Sequence, residues 1–161
     1  MASVEENVDG RVVEDNATRN ARLRAWFHHH FETGVAFNAH AGITVPRWDD
    51  GGTEFRLPYR VELSAHDGVF HGGVVATLID TCGCGAVLAG HDFALGSRIS
   101  TIDLSVQFLR AATGDLVAYG TCTKRGRNIN FADVVVRDAA GKDVARGIVT
   151  ANVSGERAGT G

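Results

Sequence analysis

The stretch FHGGVVATLIDTCGCGAV, Phe70 to Val87, decides the fold. At helical spacing it is apolar nearly all the way round, and the pattern runs from about Gly72 to Gly90. A helix of that kind needs cover on every side. Yet its middle carries a carboxylate, Asp80, among Leu78, Ile79, Val87 and Leu88. An unpaired buried carboxylate costs several kcal/mol. Asp80 therefore either caps a backbone group, pairs with an arginine, or does chemistry. In a dry pocket its pKa and reactivity rise, which suits a general base or a nucleophile.

The start of the stretch offers something different. His71, Gly72 and Gly73 stand where the helix begins. The first turn of a helix has backbone N–H groups without partners and a partial positive charge. Glycine lets a ligand approach them, and such a site stabilises a negative oxygen. The plainer reading is a helix start that the glycines keep uncrowded. His71 and Asp80 are nine residues apart. On one helix they differ by about 180° in direction and about 13 Å in height. They share a site only where Asp80 of one chain faces the helix start of another, an arrangement with two equal sites in a two-fold dimer. The small residues Gly83, Cys84, Gly85 and Ala86 would let helices or sheets approach closely.

Four strand-like segments follow: SRISTIDLSVQFLR, DLVAYGTCTKR, INFADVVVRD and DVARGIVTANV, parted by turns at AATGD, RGRN and AAGK. In the first, Ile102, Leu104, Val106 and Phe108 share an apolar face, and Thr101, Asp103, Ser105 and Gln107 share the polar one. Before the helix, AGITVPRW is a strand ending near Pro46, WDDGGTEF is a turn, and TEFRLPYRVEL is a strand in which Pro58 marks an edge or bulge. From Thr18 to Phe37 one helix is expected, with Leu23, Trp26, Phe27, His30 and Phe31 on one stripe and Glu32 opposite it. That stripe either covers a pocket or is core. A single central helix among antiparallel strands makes the class α+β, with the sheet curling around Gly72–Gly90. One sheet cannot surround a helix, so a second copy of the chain is expected. The 161 residues suit one domain, taken as 17–153, between loose tails at 1–16 and 154–161.

Composition excludes several classes. A net charge of −3 leaves no basic footprint for nucleic acid. No apolar run reaches the ~18 residues of a membrane span. The acidic start MASVEENVDGRVVEDN is not a secretory signal. Three cysteines without framework spacing point to reduced thiols and the cytoplasm. His28, His29 and His30 splay by about 100° each on a helix, and Cys82 and Cys84 diverge by about 200°, so no metal and no cofactor is expected. Nor does the spacing place a base beside either cysteine, which leaves them as small hydrophobes.

HGGVVATLIDT resembles the signature of the hotdog-fold acyl-CoA thioesterases of the phenylacetate-degradation (PaaI-like) group, a GxxHGG turn with an acidic residue nine positions after the histidine. Gly68, His71, Gly72, Gly73 and Asp80 fit it. AFNAHAGITV, STIDLSVQFLRAATGD and KRGRNINFADVVVRDAAGKDVARG extend the resemblance over Phe37 to Val153. It implies a hotdog fold, a curved antiparallel sheet wrapped around one long central helix. It also implies a dimer with a continuous sheet, often a tetramer of two dimers, and hydrolysis of an acyl-CoA thioester to free acid and CoA. By position, Gly72 offers its N–H to the thioester carbonyl and His71 fixes and polarises that region. Asp80 of the partner chain activates water or attacks directly. Thr101 aligns with a hydroxyl that orients the water, although simple alternation puts it on the polar face with Asp103.

Gly73 belongs to the substrate-binding set. So does His66, beside Ala65, which stands where members often carry an asparagine. Arg110 and Arg127, near turns, suit the phosphates of CoA. Two other readings stay open. One is hydration or dehydration of acyl thioesters, whose usual histidine–acid motif is not found in this chain. The other is a non-catalytic acyl-CoA-binding or regulatory hotdog protein, which Ala65 favours.

Overall fold

The computed structural model describes residues 15–49, 52–66, 68–89, 91 and 96–155, with the backbone of 5–6 and 12–13. Two short strands, β1 (Glu5–Glu6) and β2 (Val12–Val13), pair antiparallel inside the expected first tail. Most of the remainder of that tail, and residues 156–161 of the second, lie outside the described residues. Helix α1 (Asn16–His28) starts where the Asp15 carboxylate accepts the amides of Ala17 and Thr18 at 2.9 Å each. That satisfies two first-turn N–H groups.

The single helix expected up to Phe37 is interrupted. After α1 the chain makes a π turn over His29–Gly34 and then a short helix α2 (Ala36–Ala41). The Val35 amide donates to the His30 carbonyl at 2.9 Å, the wider closure of a π turn. The widened turn rotates the residues within it. Glu32, expected opposite the apolar stripe, is half-buried and accepts the Val45 amide at 2.7 Å. Phe27 and Phe31 pack edge-on against Phe55 in the core.

Six strands form the main sheet: β3 (Thr44–Asp49), β4 (Gly52–Leu57), β7 (Arg98–Phe108), β8 (Leu116–Arg125), β9 (Ile129–Asp138) and β10 (Asp143–Ser154). Their order is β3-β4-β8-β9-β10-β7, and every neighbouring pair is antiparallel. β3 runs past Pro46 because it is an outer strand, and its register slips between Thr44 and Arg47. β4 stops at Leu57, one residue before Pro58. A small hairpin, β5 (Ser64–His66) and β6 (Val69–Phe70), leads into helix α3 (Gly72–Leu88). Gly68 turns that hairpin at φ +74, a conformation that suits glycine.

The sheet curls around α3. Val75, Leu78, Ile79, Cys82 and Val87 are buried in one cluster with Phe55, Leu57, Leu116, Ala118, Val134, Val136 and Val149. Close approach makes this possible. A Cβ at Gly83 would lie 2.4 Å from Val149 Cγ2, and one at Gly147 would lie 2.6 Å from Ile79 Cγ2. The small residues after Asp80 thus serve packing within the chain. Arg125 closes the far end of α3: Nη1 donates to the Val87 carbonyl at 2.9 Å and Nη2 to the Ala86 carbonyl at 3.3 Å. A cation is favoured at that negative pole. Cover is incomplete on one side, where Gly73, Ala76, Thr77, Asp80 and Thr81 keep some exposure along one stripe.

Candidate active site

Asp80 sits on that stripe, half-buried, and it is not bare. Its Oδ1 accepts the Thr101 hydroxyl at 2.8 Å, and the Cys84 thiol lies 3.8 Å from the same oxygen. Cys84 Sγ and Thr101 Oγ1 are 3.4 Å apart. Cys84 is four residues beyond Asp80, so both project from the same face of α3.

Thr101 reaches Asp80 through a bulge. On β7 Asp103 opposes Thr150, while Thr101 opposes Ala151, which leaves Ile102 as an extra residue. Leu104 opposes Val149, and Val149 and Ala151 both face the core. Thr101 and Leu104 therefore share the inward face although they are three residues apart. The polar-face placement by simple alternation is corrected here, because the bulge breaks the period of two.

A cleft of about 200 Å³ opens beside Asp80. Its wall includes Thr101 and Cys84, and also His30, Phe31 and Asn38 from the N-terminal segment. The aromatic stripe is thus both core and cleft wall: Phe27 is core, while His30 and Phe31 border the cleft. Asn38 is buried; its Nδ2 donates to the Phe31 carbonyl at 2.9 Å, and its Oδ1 accepts the Thr81 hydroxyl at 3.5 Å. It ties the π turn to the central helix one residue from Asp80. No local pattern in the sequence marks Asn38. Cys84 carried a signal, its spacing from Asp80, that the apolar run concealed.

The helix start is built with equal care. His71 is the cap residue of α3, and its Nδ1 accepts the Gly73 amide at 3.0 Å. Acceptance at Nδ1 puts the proton of the neutral ring on Nε2, which leaves that N–H as a donor. A Cβ at Gly73 would lie 3.0 Å from that Nδ1. Gly73 thus keeps room for the imidazole, and its own amide is already used. The N–H of Gly72, the first helical residue, has no partner within the helix. The Phe108 ring lies 3.4 Å from where a Gly72 Cβ would stand.

Within one chain the two halves stay apart. The cleft beside Asp80 includes neither His71 nor Gly72. His66 is exposed on β5 next to exposed Ala65. Arg110 donates from Nη1 to the Asp143 carbonyl at 2.6 Å, at the start of β10. Exposed Arg127 lies in the β8–β9 turn, where the Val153 amide near the end of β10 meets the Asn128 carbonyl. The two arginines therefore stand at opposite ends of the sheet, and one chain does not bring them to one ligand.

Burial pushes both Cys82 and Cys84 up to about 12, and for Cys84 the nearby Asp80 carboxylate adds to this. Both stay thiols at working pH, so neither supplies a thiolate nucleophile. Burial also lowers the His30 pKa, with His29 contributing. His28 meets Glu32 at 3.4 Å, His29 meets Thr33 at 3.0 Å, and His30 stacks on Trp26 at 4.6 Å. The three imidazoles diverge, and among the described residues no group of three or more His, Cys, Asp or Glu could hold a metal ion. Among the described residues no helix is long and apolar enough to cross a membrane.

Comparison with known proteins bears on the fold. The profile of the family described as the thioesterase superfamily matches residues 67–145, from the turn before His71 into β10. A Halobacterium salinarum protein whose name places it among the esterases is 38% identical over 98 residues, 59% of this chain and 65% of its own length. The match thus spans somewhat less than two thirds of that relative. A similarly named Saccharolobus solfataricus protein is 28% identical over 66% of this chain and 74% of its own. A Shewanella oneidensis crystal structure, described as related to the thioesterase superfamily, superimposes with a TM-score of 0.76 at 23% identity, over 83% of this chain and 97% of the other. That last likeness speaks to the fold. The α+β architecture, a sheet wrapped on one helix, is that of the hotdog fold, and over residues 67–145 the chain is similar to the thioesterase superfamily.

Proposed function

We propose that the protein hydrolyses acyl-CoA thioesters as a homodimer, and that each site joins Asp80 of one chain to the His71–Gly72 helix start of the other. The observation that carries this reading is the Asp80 carboxylate, held by Thr101 on the one incompletely covered side of α3 and open to a cleft. The Gly72 N–H receives the thioester carbonyl, and the positive end of α3 stabilises the oxyanion that forms. Asp80 takes a proton from water as that water attacks, or attacks the carbonyl carbon itself. Collapse of the tetrahedral species expels CoA as the thiolate, leaving the free acid in the first case and in the second an anhydride on Asp80 that a water then hydrolyses.

The two edges of the sheet support the assembly. β3 carries Pro46 and is tied off by Glu32 on the Val45 amide. β7, the other edge, shows Ile102 and Phe108 at 56% exposure each, with Leu109 just beyond its end at 48%. A bare apolar edge invites another strand, and pairing β7 with its copy would extend one sheet through the dimer. Phe108 at that edge also stands over Gly72.

Thiol release over a panel of acyl-CoAs is the test. Asp80→Asn is expected to lower kcat by roughly 10²- to 10⁴-fold, the usual contribution of a positioned base. Equal, slow release by wild type and variant across the panel rejects hydrolysis. Tight acyl-CoA binding without release would instead favour the non-catalytic reading that Ala65 keeps open.

A further inference from the structure

The inner oxygen of Asp80 is crowded and the outer one is not. Oδ1 receives the Thr101 hydroxyl at 2.8 Å and the Cys84 thiol at 3.8 Å, and these two donors touch each other at 3.4 Å. No donor from the described residues reaches Oδ2. Cys84 is 8% exposed and protonated, so its hydrogen is available and its position is fixed by the helix.

We propose that Cys84 is a positioning residue for Asp80: together with Thr101 it pins Oδ1 and leaves Oδ2 as the oxygen that acts on the substrate. A carboxylate on a single bond can rotate about its Cβ–Cγ axis. Two donors on one oxygen, one from α3 and one from β7, set its plane. A thiol is a weak donor, so it orients the carboxylate with a looser hold than a second hydroxyl would. Sulfur is also large and apolar enough to fill the wall of the cleft. The inference rests on reading Asp80 as the working carboxylate.

Among residues lining the cleft, the titratable side chains that share it with Asp80 are Cys84, on the same helix, and His30, on the π turn. Asn38, Thr81, Ser100 and Thr101 there carry no charge. The carbon-detected NMR resonance of the Asp80 carboxyl at fixed pH therefore reads the thiol's contact directly.

The experiment compares wild type, Cys84→Ala and Cys84→Ser, with the thermal melt of each as a check on folding. Loss of the thiol donor shifts the Asp80 carboxyl carbon resonance at fixed pH, and thiol release from acyl-CoA falls about three- to tenfold in kcat, with KM within twofold. Cys84→Ser, which restores a donor, returns the resonance toward the wild-type position and recovers most of kcat. A carboxyl resonance identical in wild type, Cys84→Ala and Cys84→Ser overturns the assignment. A shifted resonance in a protein that cleaves no thioester keeps the positioning role and removes the hydrolysis.

Discussion

At the scale of single residues, two of the glycines in the helix start do different jobs. Gly72 keeps an amide available, whereas Gly73 gives its amide to His71 Nδ1 and clears space for the ring. The pair looks equivalent in sequence. Gly73→Ala puts a methyl 3.0 Å from Nδ1 and displaces the imidazole. A drop of about tenfold in kcat/KM is expected, with a melting temperature only a few degrees lower, because one cap bond is worth about 1 kcal/mol. An unaltered His71 ring resonance in NMR would show that the cap survives and that this account of Gly73 is wrong. Thr101 teaches a similar lesson. Its facing was not legible in the alternation, because a bulge is a local property of two strands together.

At the scale of elements, α3 was readable from start to end: Gly72 to Leu88 against an expected Gly72 to Gly90. Helices and strands with a sustained period announce themselves. In sequence the N-terminal segment has the pattern of one continuous helix, whereas the structure places a π turn within it. A π turn inserts one residue without disturbing composition, so periodicity carries little trace of it. Its consequence is large, since it brings His30 and Phe31 to the cleft and Glu32 to the β3 edge. Asn38 locks this arrangement by holding the Phe31 carbonyl. Asn38→Ala leaves that carbonyl unpaired in the interior and is expected to cost about 1–3 kcal/mol. Urea unfolding measures it, and a loss under about 0.5 kcal/mol would mean that water replaces the amide.

At the scale of the whole molecule, the prediction concerns sharing between chains. If each site takes Asp80 from one chain and His71 from the other, two inactive variants complement each other. Asp80→Ala and His71→Ala subunits, unfolded together and refolded at equal amounts, form about half heterodimers. Each heterodimer has one intact site of two, so about a quarter of wild-type activity returns. Sites made within single chains return none. Sedimentation of the wild type provides the companion measurement, and a stable folded monomer contradicts the shared site. The arginines belong to this scale too. Arg110 and Arg127 stand at opposite ends of one sheet, so only an assembly could bring both to one CoA.

By itself the sequence determined the class of the fold, the long central helix and the four strands after it. These depend on local periodicity and on residue types a few positions apart, which a single chain displays openly. Tertiary structure alone decided the strand order, with β7 beyond β10 at the open edge, the bulge that turns Thr101 inward, the π turn, and the meeting of Asp80 with Thr101 and the N-terminal cleft wall. Each of these depends on how residues far apart in sequence are packed, and close packing selects among arrangements that local pattern leaves equally open.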